Sequence, residues 1–154
     1  MVKSKSAFTM IELVFVIAII GILAAVAIPR LAATRDDATI TKNKVVVASV
    51  RNALAMERQK RILRGVFTPI TAVGNATDVF GNFYDTNGDT GVAVLEYSIK
   101  SEPSKKDKWS FAANEYTFKS VLGDVKFQVI SGRFECDPAK TTNTNATGCT
   151  QLTN

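Results

Sequence analysis

A single carboxylate, Glu12, lies near the start of a long apolar segment that runs from Phe8 to Ile28. A short leader with two lysines and no acidic residue precedes this segment. A carboxylate at the centre of a membrane-spanning helix costs about 2.5 to 3.5 kcal/mol on insertion scales, and less near a helix end. A charge in such a segment indicates a function and requires a partner. Cleavage between Ala7 and Phe8 would create one, an amine four residues before Glu12.

The N-terminal part of the chain, over about residues 1–60, resembles type IV pilins and the pseudopilins of type II secretion and DNA-uptake machines. The resemblance is to their class III signal, and the matching features are the basic leader 1–7, the run Phe8-Thr9-Met10-Ile11-Glu12-Leu13, the apolar helix with Gly21, and Pro29. It implies that a prepilin peptidase and methyltransferase removes the leader and N-methylates Phe8. It also implies that Glu12 neutralises the terminal amine of a neighbouring subunit during assembly. The family usually has glycine before the cut; Ala7 is still small, so we expect processing.

An ordinary secretory signal is an alternative interpretation of the same residues. Such signals also have a basic start, an apolar core and a small-x-small cleavage site, which here would be Ala25, Val26 and Ala27. The apolar run is longer than the usual 7 to 15 residues, and Glu12 interrupts its beginning. The mass of the mature chain separates the two, because it would begin at N-methylated Phe8 or at Ile28.

A single-pass anchor and a buried core helix are further alternatives. The range 13–28 is just short of the roughly 17 to 25 residues of a spanning helix. The range 10–28 is long enough if Glu12 lies near the membrane surface. Lys3 and Lys5 predict a cytoplasmic N-terminus, although Arg30 and Arg35 beyond the segment weaken that bias.

The region after Pro29 keeps a helical pattern. Apolar residues follow three-, four- and seven-residue spacings at Ile40, Val47, Val50 and Leu54. Cations accumulate toward Arg64, as expected near a helix C-terminus, and Gly65 is a suitable cap. The sequence therefore predicts a transmembrane and assembly helix over 8–29 that continues as an amphipathic half over 30–65. Pro29 either kinks this helix or merely ends a membrane helix.

The remaining residues, 66–154, are predicted to form a β-rich globular domain. The ranges 92–99, 115–121 and 125–130 have strand character, and Leu122, Gly123 and Asp124 fit a hairpin turn. Three or four antiparallel strands packed on the amphipathic helix would bury both apolar faces. The expected fold class is thus α+β, with a long N-terminal helix on a small antiparallel sheet, as the resemblance to pilins also implies.

A polar loop between the predicted elements is a candidate calcium site. Asp85, Asn87 and Asp89 alternate, and Glu96 follows eleven residues after Asp85, which offers the oxygen ligands that calcium prefers. Major pseudopilins of type II secretion carry calcium in such loops, so the resemblance favours this interpretation. Thr90 occupies the position that requires glycine in the standard calcium loop. The alternative is a turn without metal, because Asp, Asn and Gly dominate turns for local reasons.

Two cysteines, Cys136 and Cys149, lie near the C-terminus. An exported domain lies in an oxidising compartment, where an even number of cysteines favours a disulfide-closed loop. The resemblance implies the same, because many type IV pilins have a C-terminal disulfide loop. A two-thiolate zinc site is disfavoured, since the chain has no histidine to complete it.

Composition argues against catalysis and against sequence-specific nucleic-acid binding. The chain has 154 residues, enough for one domain and an anchor, and no histidine, the commonest general base. Loss of the leader lowers the formal charge from +5 to +3, since 17 basic and 14 acidic residues remain. No basic cluster is interleaved with aromatic residues, as single-strand binding requires.

The sequence therefore predicts a structural subunit that assembles through its N-terminal helix. The expected partners are copies of itself, the prepilin peptidase and methyltransferase, and an inner-membrane assembly platform. The expected location is the bacterial inner membrane, with a cytoplasmic N-terminus and a periplasmic globular domain, and then a periplasmic or extracellular filament. A pseudopilin of a type II secretion or DNA-uptake system is the first interpretation, and a major type IV pilin is the alternative. An anchored or secreted binding domain is the alternative from a different class.

Overall fold

A computed structural model describes residues 8–121, 123–141 and 147–153 of the chain. The chain divides into two compact units, Met1–Ala38 and Thr39–Asn154. The elements in chain order are α1 (Met10–Leu63), β1 (Ile70–Gly74), β2 (Asp78–Asp85), β3 (Gly88–Ala93), β4 (Ile99–Lys100), β5 (Trp109–Ala112), β6 (Glu115–Ser120), β7 (Gly123–Ile130), β8 (Arg133–Cys136) and α2 (Thr147–Thr153).

The first unit contains the N-terminal part of α1. This helix is long and apolar enough, near the N-terminus, to cross a membrane. Pro29 lies inside α1, so the alternative in which this proline ends the helix is wrong. Proline removes one backbone hydrogen bond and crowds the preceding turn, a cost that a long helix can accommodate.

The second part of α1 presents one stripe of side chains to the core of the second unit. The buried residues recur every three or four positions: Asn43, Val47, Val50, Leu54, Glu57 and Arg61. This confirms the amphipathic helix that the apolar spacing predicts. Gly65 ends the helix with a φ of 73°. Its amide donates to Ile62 and the Val66 amide donates to Arg61, the two bonds of a Schellman cap.

The β-rich region forms two antiparallel sheets of four strands, where the sequence predicts one sheet of three or four. In the first sheet the order is β1-β2-β3, and β4 also pairs with β2. In the second sheet the order is β5-β6-β7-β8. The hairpin of β6 and β7 is as predicted, with Ser120 paired to Gly123. Gly123 and Asp124 belong to β7 rather than to the turn, and Leu122 lies outside the described residues.

The predicted strand over 92–99 is wrong, because the chain leaves the sheet between β3 and β4. β3 pairs with β2 around Asn82 and Tyr84, and β4 pairs with β2 at Asp78 and Val79. β1 pairs with β2 on its other side, so β3 and β4 share one edge of β2. Between the two pairings Val94 stays buried in the core, and residues 96–98 form an exposed outward loop, which the apolar residues at 92–95 conceal from sequence reasoning.

An aromatic core joins both sheets to α1. Six rings are buried and in mutual contact: Phe80, Trp109, Tyr116, Phe118, Phe127 and Phe134. The Trp109 indole N–H donates to Asn43 Oδ1 of α1 at 2.7 Å. The Tyr116 hydroxyl accepts the Val73 amide at 2.7 Å, which links the two sheets. The helix and the sheets are thus held by polar bonds as well as by apolar contact.

The C-terminal residues are fixed by a disulfide and a short helix that sequence reasoning does not predict. Cys136 at the end of β8 is bonded to Cys149 of α2, with 5.7 Å between their Cα atoms, which confirms the predicted pairing. Cys149 and Leu152 are the buried apolar side chains of α2. The disulfide therefore attaches the C-terminal segment to the edge strand of the second sheet.

Removing this disulfide should destabilise the second unit. We expect the double variant Cys136→Ser, Cys149→Ser to lose about 3 kcal/mol of unfolding free energy, the typical value for a loop of this length. Urea unfolding followed by Trp109 fluorescence reports this loss, since Trp109 is the chain's one tryptophan and is 1% exposed. Wild type treated with reductant is the matched control and should unfold at the same urea concentration as the variant. An unchanged midpoint in both samples would contradict the prediction.

Candidate functional site

The N-terminus of α1 is closed by a reciprocal pair of contacts between Thr9 and Glu12. The Thr9 amide and hydroxyl donate to Glu12 Oε2 at 3.1 and 2.8 Å. The Glu12 amide donates to Thr9 Oγ1 at 3.3 Å. This is a capping box, in which a threonine at the N-cap and a glutamate three residues later satisfy helix-end donors. Glu12 therefore stabilises the start of its own helix.

Glu12 also has capacity for a second partner. Among the described residues no donor contacts its Oε1 atom, and a carboxylate can accept about four hydrogen bonds. Phe8, directly before the capping threonine, is 82% exposed. Ala7, the other residue of the predicted cleavage point, lies outside the described residues. Capping within the chain and pairing with an incoming amine are thus compatible for this carboxylate.

The segment after Glu12 is apolar on every side and exposed. Its side chains between Phe15 and Ile28 include residues 41% to 70% exposed, such as Ile19 and Ile22. A Cβ atom at Gly21 would meet nothing within 4 Å, so no described residue of the chain packs against this glycine. Apolar surface on this scale is unfavourable in water and indicates a lipid or protein environment.

The predicted calcium residues lie in and after the hairpin that joins β2 to β3. Asp85 ends β2 and pairs with Gly88, so that Thr86 and Asn87 form the turn. Asp85, Asn87 and Asp89 line one surface pocket of about 260 Å³. Glu96 lies in the outward loop and lines a different pocket. The structure therefore brings three of the four residues together and leaves Glu96 apart.

The Asp85 carboxylate is already neutralised by an arginine. Arg61 Nη1 lies 3.1 Å from Asp85 Oδ2, and Arg61 Nε lies 3.2 Å from Glu57 Oε1. These three side chains are 12%, 8% and 6% exposed for Asp85, Arg61 and Glu57. The other oxygen of Asp85 accepts the Asn87 amide at 2.8 Å. A buried triad of two carboxylates and one guanidinium thus joins α1 to the hairpin.

The Asp89 carboxylate is likewise engaged, by hydrogen bonds within the hairpin. Its two oxygens accept the Gly91 amide and the Asn82 side-chain amide at 2.8 and 3.1 Å. The Gly91 amide and then the Asn82 amide hold the pKa of the Asp89 carboxyl below its usual range. The oxygens of Asp85 and Asp89 therefore already have donors within the chain.

These contacts do not fit a calcium site built from Asp85, Asn87, Asp89 and Glu96. Calcium requires six to eight oxygen ligands, and here a guanidinium occupies the side of Asp85 where a cation would bind. Within the described ranges no group of three or more acidic, histidine or cysteine side chains is arranged to hold a metal. Calcium binding by this loop stays a prediction, and the arrangement favours the turn.

Calcium should therefore leave the stability of the chain unchanged. A ligand at one hundred times its dissociation constant adds about 2.7 kcal/mol to the unfolding free energy. We expect no such gain in millimolar calcium over the same concentration of magnesium, measured by urea unfolding with Trp109 fluorescence. A calcium-specific rise that disappears in Asp89→Asn would show that the loop binds the metal.

Sequence reasoning did not identify Thr9 and Arg61 as site residues, although local spacings in the sequence indicate some of their contacts. The spacing of Thr9 and Glu12 is that of a capping box, a pattern readable from the sequence. Glu57 and Arg61 are four residues apart on a helix, the spacing of a salt bridge. Arg61 also pairs with Asp85, which lies 24 residues further along the chain, and no local pattern predicts this contact.

Comparison with known families identifies the N-terminal segment. Residues 2–28 match the family model described as the prokaryotic N-terminal methylation motif. The match marks this segment as a class III prepilin-type signal. No curated protein and no solved structure matches the chain.

The signal and the fold together support one class of protein. A long N-terminal helix packed on antiparallel sheets is an α+β, pilin-like arrangement. The methylation motif supports a type IV pilin-like or pseudopilin protein and implies processing by prepilin peptidase and filament assembly. The apolar stretch of this prepilin-type N-terminal helix indicates membrane anchoring.

Proposed function

We propose that the chain is a structural subunit of a type IV pilus-like filament. It is cleaved before Phe8, held in the bacterial inner membrane by residues 8–29, and then added to a helical polymer through that same segment. The prepilin signal, whose matched residues include an exposed apolar helical segment with one carboxylate, carries this proposal. No catalytic role is proposed, since the chain has no histidine and its paired carboxylates are engaged structurally.

The location follows from the same features. Lys3 and Lys5 favour a cytoplasmic N-terminus, which puts the second unit in the periplasm. The disulfide supports this, because such bonds persist in oxidising compartments. The partners are copies of the chain, the prepilin peptidase and methyltransferase, and an inner-membrane assembly platform.

Two machines remain candidates for this filament. A pseudopilin of a type II secretion or DNA-uptake system is the first, and it rests on the Asp85–Asp89 hairpin, whose sequence partly matches the calcium-loop pattern. A major type IV pilin is the second, and the disulfide between Cys136 and Cys149 favours it. The Arg61 contact to Asp85 reduces the support for the first candidate, because it replaces the metal that this sub-family uses.

Electron microscopy of material sheared from cells, with intact mass of the same fraction, tests the proposal. We expect filaments whose subunit begins at N-methylated Phe8. Long fibres at native expression support the pilin, whereas fibres only on overexpression support the pseudopilin. A mature chain beginning at Ile28, or one that keeps its leader, would exclude the filament and favour a secreted or anchored binding domain.

A further inference from the structure

An apolar pocket lies where α1 ends and the first sheet begins. Its volume is about 400 Å³, within the range of pockets that hold small organic groups. Ile62, Val66 and Phe67 line it and are 57%, 41% and 80% exposed. Exposed apolar residues grouped around a concavity are typical of a protein contact rather than of an ordinary surface. The pocket therefore lacks an occupant within the described part of the chain.

One edge of this pocket is cationic. Arg58 lines it and also lines the adjoining groove, which contains Arg51 and Arg133. None of these three arginines has a carboxylate within ion-pair distance among the described residues. The Arg58 stem passes close to Gly132, where an added Cβ would lie 3.1 Å from Arg58 Cδ. The occupant should therefore combine an apolar group with an anion.

The outward loop between β3 and β4 presents that combination. Tyr97 is 81% exposed, and within the described residues its ring contacts no other ring. The neighbouring Glu96 is also exposed and has no ion-pair partner in the described ranges. A tyrosine offers a large apolar face at low entropic cost and is enriched at protein interfaces.

We propose that the Glu96–Tyr97 loop of a second copy of this chain docks on the pocket, with Tyr97 among Ile62, Val66 and Phe67. In this contact Glu96 pairs with Arg58 at the cationic edge. The occupant is a copy of the chain because the charge and the apolar group complement the pocket together, and because the proposed filament, on which this inference rests, brings copies side by side.

The loop and the pocket are separate patches, which determines the kind of assembly they make. The pocket lined by Glu96 shares no residue with the pocket around Phe67. In the proposed contact each copy places its loop on one neighbour and receives the loop of another, an arrangement that is heterologous and propagates into a ring or an open helix, unlike a reciprocal exchange between two copies, which closes as a dimer. The proposed contact is therefore of the kind that a filament requires.

Charge reversal in full-length chains tests the pairing. Arg58→Glu and Glu96→Arg should each reduce sheared filaments at least about tenfold, the effect of losing a central interface contact. The double variant should restore them to within about threefold of wild type, a residual expected for a re-formed pair. Lys106→Glu, an equal charge change at an exposed lysine outside the pocket, should have no effect. Tyr97→Ser should act like the single variants, and Val121→Ser, at another exposed apolar residue, should not.

Cross-linking gives a readout that a folding defect cannot imitate. A chain with both Tyr97→Cys and Val66→Cys should form a ladder of disulfide-linked oligomers in filaments, and neither single variant should form one. Urea unfolding by Trp109 fluorescence identifies any variant that is merely unstable, and Glu96→Arg and Tyr97→Ser alter only an exposed loop.

The outcomes separate this inference from the filament itself. If the wild-type chain makes no filaments, both proposals fail. If filaments form but show no ladder and no rescue by the double charge reversal, only the docking contact fails. A dimer from Val66→Cys alone would overturn the Glu96–Tyr97 loop as the occupant of the pocket, and attachment of that cysteine to a different protein would overturn the second copy as occupant.

Discussion

Replacing Arg61 by methionine is expected to lower the free energy of unfolding of the chain by about 3 to 5 kcal/mol. Methionine replaces the aliphatic stem of the arginine with a side chain of similar apolar character, but it leaves the carboxylates of Glu57 and Asp85 without their cation. Glu57 is 5% exposed, and the Asp85 side chain is 12% exposed. A buried charge that loses its partner keeps its desolvation penalty without the compensating attraction.

The full-length chain in detergent allows a direct measurement. Urea unfolding by Trp109 fluorescence gives the free energy, because this tryptophan lies in the core that α1 and both sheets share. Arg64→Met is the matched control, since Arg64 is exposed and has no ion-pair partner among the described residues. Its free energy of unfolding should differ from that of wild type by no more than about 0.5 kcal/mol, the usual range for surface substitutions.

A triple variant distinguishes the effect of unpaired buried carboxylates from the effect of lost packing. Glu57→Gln and Asp85→Asn added to Arg61→Met remove both carboxylates, and the asparagine can still accept the Asn87 amide. We expect this variant to recover most of the stability, as replacing a whole buried ion network often does. A triple variant as unstable as Arg61→Met alone would show that packing by the guanidinium, and not its charge, holds the hairpin to α1.

The helix was the most predictable part of the fold, because its signals are local. The buried stripe from Val47 to Leu54 follows directly from a 3.6-residue period, and Gly65 supplies the positive φ that its cap requires. The two sheets were less predictable. β2 has a mixed burial pattern and contains Gly81, so it shows no clean alternation. Its pairing with three other strands depends on contacts distant in sequence.

The contacts of the candidate sites were likewise predictable where their signals are local in the sequence, and not where they depend on residues distant in the sequence. The capping box of Thr9 and Glu12 is a three-residue spacing, so the sequence contains it in full. The pairing of Cys136 with Cys149 was predictable from the cysteine number and the export signal. The role of Asp85 was not predictable from the sequence, because the spacing of polar residues in its hairpin is compatible with both a metal site and a turn. Arg61, in the last turn of α1, lies close to Asp85 in the folded chain, and its salt bridge determines the contact that the Asp85 carboxylate makes.

Removing the carboxylate of Glu12 is expected to abolish most filament assembly without preventing membrane insertion. Both Glu12→Ala and Glu12→Gln should insert, since each makes the helix more apolar. Truncating one partner of a buried charge pair costs about 2 to 5 kcal/mol, and every 1.4 kcal/mol is a factor of ten, so we expect at least about thirtyfold fewer filaments. Quantification of sheared filaments, with precursor and processed chain measured in the membrane fraction, checks this result.

The two substitutions separate the capping role that the structure shows for this carboxylate from its proposed pairing with a neighbour's amine. Glutamine at the third helical position can still close the capping box with Thr9, whereas alanine cannot. If pairing with a neighbour's amine drives assembly, Glu12→Gln fails as completely as Glu12→Ala. Thr9→Val is the matched control, because it removes the capping hydroxyl and leaves the charge, and it should assemble. Filaments from Glu12→Gln but not from Thr9→Val would show instead that the helix cap, and not the charge, is what assembly requires.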